Sequence, residues 1–126
     1  MSELRKVMLV EDDPDIAVLA EIALKDIGGL EFVHFDSGEA ALSGVFDADP
    51  DLIILDYRLP GMNGAEVLAE LKADERTRDR PALFMTASLM PKHIARLLGL
   101  GAVAVLPKPF DPLTLADRIQ EIWSAR

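Results

Sequence analysis

The sequence predicts a single α/β domain built on a doubly wound parallel sheet of five strands. Short apolar runs alternate with segments whose apolar residues recur every three or four positions, a pattern typical of strands that alternate with helices. The crossover between two parallel strands needs about a dozen residues and usually a helix, and the spacing of the runs allows one. Three of the runs are almost continuously apolar, which indicates strands buried on both faces. At 126 residues, the chain fits one compact domain.

In the first half of the chain, three strands are predicted to alternate with two helices. Asp13 and Pro14 favour a helix start directly after the first strand, because an aspartate caps free amide groups and proline suits the first helical turn. Gly28 and Gly29 are expected to end this helix, and Ser37 to cap the next one. The predicted elements are a strand at 7–10, a helix from 14 to 26 or 27, a strand at 31–35, a helix at 38–46 and a strand at 51–55.

The second half continues the alternation. The predicted elements are a helix at 65–73, a charged connector at 74–80, a strand at 82–85, a helix at 91–98, a strand at 103–107 and a helix at 112–123. The second strand carries His34, and the fifth contains Pro107, which lacks the amide donor of an interior ladder, so both are predicted edge strands. His34 and His93 are expected to be structural or surface residues because neither follows a strand at the site. Met85 and Trp123 are expected in the core.

Composition excludes several classes of function. The longest apolar runs are about one strand long, far short of the ~20 residues that cross a bilayer, and no signal peptide is visible, so a cytoplasmic location is expected. The absence of cysteine excludes disulfides and thiolate metal sites. A formal net charge of −9 argues against direct nucleic-acid binding, which needs a basic surface. The expected partner is therefore another protein.

Four of the apolar runs end at side chains that suit phosphoryl transfer. These side chains are Glu11 and Asp12, Asp56, Thr86 and Lys108. Because the carboxyl ends of parallel strands lie at one edge of a sheet, we expect three carboxylates, a hydroxyl and an ammonium in one cleft. Carboxylates at that density repel one another unless a hard cation lies among them, and Mg²⁺ favours a few carboxylates together with phosphate oxygens. The sequence therefore predicts a phosphorylatable Mg²⁺ site.

With these motifs placed, the chain resembles the receiver domains of two-component response regulators along essentially its whole length. The matching segments are Val10-Glu11-Asp12-Asp13, Leu55-Asp56 with Leu59-Pro60-Gly61-Met62-Asn63-Gly64 after it, Met85-Thr86-Ala87, Gly101-Ala102 and Pro107-Lys108-Pro109-Phe110. The resemblance implies a flavodoxin-like, CheY-like sheet in the order 2-1-3-4-5. It also implies that residues 1–126 are one receiver domain, with no output domain among them.

The resemblance implies a role for each acidic residue. Asp56 would accept a phosphoryl group from a phosphohistidine on a sensor histidine kinase or a histidine phosphotransfer protein. Asp12 and Asp56 would ligate Mg²⁺ together with the backbone carbonyl of Arg58, while Glu11 would hold metal-bound water. The implied activity is that of a signalling phosphoacceptor rather than an enzyme, one that assists its own phosphorylation and dephosphorylation.

Lys108 and Thr86 have physical roles in the same interpretation. The Lys108 ammonium would offset charge on the transferring phosphoryl oxygens, and the bond to Pro109 resembles the cis peptide of the family. Thr86 offers a hydroxyl donor that can move to a phosphoryl oxygen, which would turn a local charge change into a loop shift. The aromatic residue that the family often carries three positions before the lysine is Val105 here. Output is therefore expected to depend on the loop after Thr86 and on helix four.

The resemblance favours one output surface, formed by helix four, strand five and helix five. This surface is expected to bind a downstream protein or to form a homodimer, with no direct nucleic-acid or membrane partner. Its charged groups are Lys92 and Arg96 on helix four and Asp117 and Glu121 on helix five. These groups are expected to pair either within the molecule or across a symmetric dimer.

Three alternatives come from other classes of protein. A haloacid-dehalogenase-like phosphatase also uses an aspartyl phosphate, but it needs a second aspartate two residues after the nucleophile, where this chain has Arg58. A flavodoxin-like electron carrier needs a hydroxyl- and glycine-rich phosphate loop after strand one, where this chain has Glu11-Asp12-Asp13. The third is a degenerate receiver that acts as a constitutive adaptor. The complete set of carboxylates, hydroxyl and lysine argues against it.

Overall fold

In a computed structural model, which describes residues 3–126, five strands alternate with five α-helices. The strands are β1 (Lys6–Val10), β2 (Glu31–Phe35), β3 (Leu52–Asp56), β4 (Ala82–Thr86) and β5 (Val105–Pro107). The helices are α1 (Pro14–Glu21), α2 (Gly38–Ala48), α3 (Gly64–Ala73), α4 (Pro91–Gly99) and α5 (Leu115–Ser124). A π-helical segment, Ile22–Ile27, continues α1. None of the helices in residues 3–126 has both the length and the apolar character that a membrane span requires.

All five strands pair in parallel, in the order β2-β1-β3-β4-β5. This is the predicted order, and it leaves β2 and β5 at the two edges, as predicted. Val10 lies beside Phe35 on one side and Leu55 on the other, while Asp56 lies beside Met85. The carboxyl ends of neighbouring strands therefore meet at one edge of the sheet.

Two apolar layers cover the two faces of the sheet. Because successive residues of a strand point to opposite faces, Leu9 packs into one layer and Met8 into the other. The first layer contains side chains of α1 and α5, and the second contains side chains of α2, α3 and α4. Met85 and Trp123 lie in the first layer, which confirms their predicted place in the core.

Local capping explains where the first helix begins and ends. The Asp13 carboxylate accepts hydrogen bonds from the amides of Asp15 at 2.9 Å and Ile16 at 3.4 Å, which satisfies free donors of the first turn. The helix stops where predicted, at Gly28 and Gly29, and Gly29 adopts a φ of 72° that glycine tolerates without steric cost. Its last six residues, however, form a π-helix. A periodicity of three and four does not distinguish that geometry from an α-helix.

β5 and α5 are shorter than predicted, whereas the other boundaries agree within two residues. The Val103 amide already donates to the Ala82 carbonyl of β4 at 2.8 Å, but the regular ladder begins only at Val105. The Val103 side chain is 42% exposed, so its apolar character does not reflect burial in the core. α5 begins at Leu115 instead of Pro112 because the three residues before Leu115 form a turn.

The ion pairs predicted between α4 and α5 do not form within the molecule. The groups concerned are Lys92 and Arg96 on α4 and Asp117 and Glu121 on α5. Arg96 instead donates to the Tyr57 hydroxyl, and Glu121 pairs with an arginine one turn earlier on α5. In the part of the chain that the structure describes, no ion pair joins the two helices. Pairing across a symmetric dimer stays a prediction.

Candidate functional site

The predicted site residues lie together at the carboxyl edge of the sheet. Glu11 directly follows β1, Asp56 ends β3, Thr86 ends β4 and Lys108 directly follows β5. Glu11, Asp56 and Thr86 are 1%, 4% and 4% exposed. Burial of two carboxylates and a hydroxyl at this edge is unusual for polar side chains, which are mostly exposed unless they have partners. The partners of each group therefore define the site.

The Lys108 ammonium joins two carboxylates. Its Nζ lies 2.8 Å from Glu11 Oε1 and 3.1 Å from Asp56 Oδ2. The backbone fixes the lysine in this position, because the Lys108 amide donates to the Thr86 carbonyl at 2.9 Å. The following peptide bond, to Pro109, is cis, as the resemblance implies. Charged groups that follow or end three different strands thus form one hydrogen-bonded cluster.

Burial and charge shift the ionisation of this cluster. Burial raises the pKa of Glu11 above its ordinary value, and the nearby Asp56 carboxylate adds to the rise, while hydrogen bonds from Lys108 and from the Asp13 amide oppose it. Burial alone would lower the pKa of Lys108, but its hydrogen bonds to Glu11 and Asp56 outweigh burial and raise that pKa. The hydrogen bonds of Lys108 therefore outweigh the cost of burying its ammonium, whereas those of Glu11 do not outweigh the cost of burying its carboxylate.

Glu11, Asp12 and Asp56 form a donor set for a cation. One carboxylate oxygen from each residue lies within 4.8 Å of the others. Glu11 and Asp56 are buried, whereas Asp12 is exposed and opens the cluster to solvent. Mg²⁺ prefers a few carboxylate oxygens and keeps several waters, which a cluster open on one side permits. These three side chains fit the metal that the resemblance implies.

A small cleft of about 70 Å³ opens beside Asp56. Its other lining residues are Tyr57, Arg58, Thr86, Ala87 and Lys108. The Arg58 amide donates to Asp56 Oδ1 at 3.4 Å, which places the Arg58 backbone beside the carboxylate. Gly64 closes the back of this loop, because its amide donates to the Tyr57 carbonyl at 3.0 Å and a Cβ there would overlap the Asp56 carbonyl oxygen. The close approach requires glycine.

Thr86 has two polar neighbours on the side of α4. Its Oγ1 accepts a hydrogen bond from the Ser88 amide at 3.2 Å and lies 3.3 Å from His93 Nε2. The His93 ring packs edge-on against Tyr57, with centroids 4.8 Å apart. The sequence predicts only a structural or surface role for His93, and this contact with a site residue was missed. A rule based on strand ends does not find a side chain that a helix brings to the site.

His34 contacts the site from β2. Its Nε2 lies 2.7 Å from the backbone oxygen of Glu11, which accepts a hydrogen bond from the imidazole. The Glu11 amide in turn donates to the Phe35 carbonyl at 3.0 Å. Two bonds to β2 therefore hold the peptide groups on either side of Glu11. The His34 side chain has a structural role, as predicted, and the segment that it holds is the acidic one that contains Glu11.

A larger cleft, of about 510 Å³, lies away from this chemistry, between α2 and the connector after α3. The Arg76 guanidinium stacks 3.8 Å from the centre of the Phe46 ring and pairs with Asp74 at 2.8 Å. Hydrogen bonds from the side chain and the amide of Arg76 lower the pKa of Asp74 to about 2. Because this arginine is already engaged, we place the functional site at the edge of the sheet, where buried charged groups converge.

Comparison with known proteins points to one family. The sequence profile of the response regulator receiver domain matches residues 7–120. The chain is 32% identical over 118 residues to the phosphate regulon transcriptional regulatory protein PhoB of Pseudomonas aeruginosa, and the match covers 94% of this chain and 51% of that protein. It is 28% identical to the chemotaxis protein CheY of the same species, and the match covers 94% and 95% of the two chains.

A solved structure supports the same conclusion. The Vibrio cholerae chemotaxis protein CheY4 superposes with a TM-score of 0.87 at 29% identity, over 95% of this chain and 99% of that one. The chain thus spans about half the length of the PhoB relative and nearly all of the CheY relative. With its strand order, its cluster of carboxylates and lysine and a family match over most of its length, this chain belongs to the response regulator receiver domain family of two-component systems.

Proposed function

We propose that Asp56 of this receiver domain accepts a phosphoryl group and that the resulting conformational change controls a partner protein. Phosphorylation of an aspartate in the presence of Mg²⁺ is a general property of the family. The observation that carries the assignment is the position of Asp56. It is a buried carboxylate that the Lys108 ammonium contacts at 3.1 Å and that lies within 4.8 Å of two other carboxylates.

The chemistry needs little beyond positioning. A carboxylate is a nucleophile that requires no general base, so an Asp56 oxygen forms the new bond to phosphorus. The bond from phosphorus to the imidazole nitrogen of the donor breaks, and its electron pair stays on that nitrogen. The Lys108 ammonium pairs with phosphoryl oxygens and offsets their charge. The Thr86 hydroxyl donates a hydrogen bond to the same group.

The proposed ligands of Mg²⁺ are Asp12, Asp56 and the backbone carbonyl of Arg58, with Glu11 holding a metal-bound water. When bound, Mg²⁺ neutralises and orients the oxygens of the transferred phosphoryl group. The crowding of three carboxylates supports this assignment, because like charges at such distances disfavour one another without a cation. Burial is the main cause of the raised pKa of Glu11, and the nearby Asp56 carboxylate adds to the rise.

Intact-mass measurement after incubation with acetyl phosphate tests the assignment. The protein is expected to gain about 80 Da, the mass of one phosphoryl group, in the presence of Mg²⁺ and not in the presence of EDTA. Asp56→Asn is expected to abolish the gain because the amide is not nucleophilic. Asp47→Asn is the matched control, because Asp47 is an exposed aspartate on α2, away from the site.

Two results would contradict the proposal. Unchanged labelling of Asp56→Asn would place the phosphoryl group on another residue. A failure of the unmutated protein to label, with the fold intact, would favour the degenerate receiver that acts as a constitutive adaptor.

The proposed partners are proteins on both sides of the signal. Upstream, we propose a sensor histidine kinase or a histidine phosphotransfer protein as donor. Downstream, we propose a target protein or a second copy of the chain on the surface formed by α4, β5 and α5. Large apolar side chains that are exposed on and beside α4 support this surface, and they are Leu89, Met90, Leu98 and Leu100. One receiver domain over residues 1–126, without an output domain among them, and a cytoplasmic location complete the proposal.

A further inference from the structure

α4 is attached to the sheet by few buried side chains. Leu97 is the one buried residue of this helix, and the N-cap residue Met90 is 67% exposed and provides no side-chain cap. α3, by contrast, buries four residues and begins with a capping box. Segments with few buried contacts and unsatisfied ends open at low free-energy cost. The position of α4 therefore depends strongly on its polar contacts.

Two side chains of α4, three residues apart and thus on one side of the helix, reach the residues around Asp56. His93 Nε2 lies 3.3 Å from Thr86 Oγ1. Arg96 donates to the Tyr57 hydroxyl, with its guanidinium carbon 5.6 Å from the centre of the Tyr57 ring. The rings of Tyr57 and His93 also pack edge-on. We name Tyr57, Thr86, His93 and Arg96 the α4 latch.

The hydroxyl of Thr86 makes the α4 latch sensitive to the state of Asp56. Its oxygen accepts the Ser88 amide at 3.2 Å, and its single proton can go to only one acceptor. That acceptor is His93 Nε2 when the nitrogen carries no proton. A phosphoryl group on Asp56 is a competing acceptor, and hydrogen bonds to charged acceptors are roughly twice as strong as those between neutral groups. The hydroxyl therefore cannot serve both partners.

We propose that His93 and Arg96 are positioning residues that hold α4 against Thr86 and Tyr57, and that capture of the Thr86 hydroxyl by a phosphoryl group releases His93 and the first turns of α4. This inference rests on the proposed function of Asp56. It links the site to α4 without an aromatic ring on β5, where the chain has Val105. The Arg96 contact with Tyr57 keeps the last turn of α4 in place while the first turns move.

Titration with beryllofluoride and Mg²⁺ tests the α4 latch, because beryllofluoride stands in for the phosphoryl group. Fluorine NMR reports whether it is bound, and amide spectra report the response of α4. The chain has two histidines, so the imidazole nitrogens of His93 can be assigned by comparison with a His93→Ala spectrum. In the free protein, Nε2 of His93 is expected to be unprotonated. On binding, the His93 nitrogens and the amides of residues 91–95 are expected to shift together.

Three variants separate a positioning role from a merely structural one. His93→Ala removes the competitor for the Thr86 proton, so beryllofluoride is expected to bind about two- to tenfold more tightly, the equivalent of one ordinary hydrogen bond. His93→Gln keeps an acceptor and is expected to restore the affinity of the unmutated protein. Tyr57→Phe removes the partner of Arg96 and is expected to extend the amide shifts to the last turn of α4. Ala95→Ser, at an exposed position of the same helix that has no proposed role, is the matched control and is expected to change neither property.

The outcomes distinguish the latch from the function on which it rests. Absence of a bound fluorine signal overturns the proposed function and the latch with it. A bound signal overturns the latch alone if His93→Ala leaves the affinity unchanged or weakens it. Protonation of His93 at Nε2 in the free protein, or amides of α4 that do not respond, overturns the latch in the same way.

Discussion

Three charged side chains share a small volume beside the cleft. Glu11 and Asp56 both contact the Lys108 ammonium, at 2.8 Å and 3.1 Å. One ammonium offsets one negative charge, so the cluster carries net negative charge even before Asp12 is counted. Removal of one member of a buried charge cluster leaves the others uncompensated. We therefore expect the three carboxylates to favour cation binding and the lysine to oppose it, and we expect the lysine to favour phosphoryl binding.

Asp12→Ala is expected to remove most of the stabilisation that Mg²⁺ gives. A ligand at 100 times its Kd raises the free energy of unfolding by about 2.7 kcal/mol, which corresponds to roughly 10 °C in Tm for a domain of this size. Thermal unfolding of the unmutated protein with Mg²⁺ and with EDTA measures this effect. Asp15→Ala, an exposed aspartate outside the carboxylate cluster, is expected to keep the full shift. A Tm of the unmutated protein that does not respond to millimolar Mg²⁺ would refute the metal assignment.

Lys108→Ala is expected to leave Mg²⁺ binding largely intact and to weaken beryllofluoride binding. The Lys108 ammonium contacts Glu11 and Asp56 but is not itself a proposed ligand of Mg²⁺, so the variant keeps every proposed ligand. The variant does lose the hydrogen bond from the ammonium to bound beryllofluoride. Because that bond joins charged groups, we expect beryllofluoride affinity to fall at least about tenfold. Isothermal titration with each ligand separately measures the two effects. Loss of Mg²⁺ binding in this variant would show that the lysine has a different role.

The sequence predicts where the main candidate residues converge, because each of them follows or ends a strand. The parallel order of the strands brings Glu11, Asp56, Thr86 and Lys108 to one edge without any detail of side-chain packing. His93 is different, since its place beside Thr86 depends on how α4 packs against the sheet. That orientation is set by long-range contacts, and local sequence carries no signal for it.

At the scale of elements, the connector between α3 and β4 contains one buried hydroxyl. Thr77 is 2% exposed, and its Oγ1 donates to the Leu71 carbonyl at 2.7 Å and lies 3.3 Å from the Asp74 carbonyl. These carbonyls belong to the last turn of α3 and the residue that follows it, where backbone acceptors have no helical partner. The hydroxyl therefore satisfies the end of α3.

Thr77→Val is expected to lower the free energy of unfolding by about 1–2 kcal/mol. Valine has nearly the same shape but leaves the Leu71 carbonyl without this donor, and an unsatisfied buried acceptor carries about that cost. Urea unfolding of the two proteins measures the difference. Thr77→Ser keeps the hydroxyl and is the control. Equal losses in the valine and serine variants would assign the effect to the methyl group instead.

The starts of helices and strands were predictable where the residues that set them are neighbours in sequence. Asp13 caps α1 as predicted, and Ser37 Oγ accepts from the Ala40 amide at 3.1 Å at the start of α2, because a cap needs only neighbours in sequence. The starts of β5 and α5 were wrong because an apolar residue such as Val103 and a proline such as Pro112 suit a turn as well as a strand or helix. The regular ladder with β4 begins only at Val105, and residues 112–114 form a turn before α5.

At the scale of the whole molecule, the contacts of Thr86 lead toward the proposed output surface. Thr86 ends β4 and leads into the loop before α4, and its carbonyl accepts the Lys108 amide from the β5 side at 2.9 Å. A change at Thr86 can therefore reach α4 through the covalent chain, and β5 and α5 through the hydrogen bond with Lys108. The route toward α1 and β2 runs through the backbone of Glu11, which His34 holds.

The amides of α4, β5 and α5 are accordingly expected to shift more than those of α1 and β2 when beryllofluoride binds. A map of amide shifts over the whole chain measures this asymmetry, and Asp56→Asn provides the blank because it removes the proposed site of attachment. The change is expected to be smaller than in relatives that have an aromatic ring at the position of Val105. Spectra in which α1 and β2 moved most, while α4 stayed silent, would refute the proposed output surface.

The chain contains one tyrosine and one tryptophan, and the fold places them on opposite faces of the sheet. Tyr57 follows the proposed phosphoacceptor and packs edge-on against His93 and Phe84. Trp123 lies under the Arg126 guanidinium at 3.6 Å, at the end of α5. Aromatic rings give near-ultraviolet circular dichroism only when packing holds them rigidly. The molecule thus carries two separate optical reporters, and a change confined to the tyrosine band would follow events at Asp56 in real time without any added label.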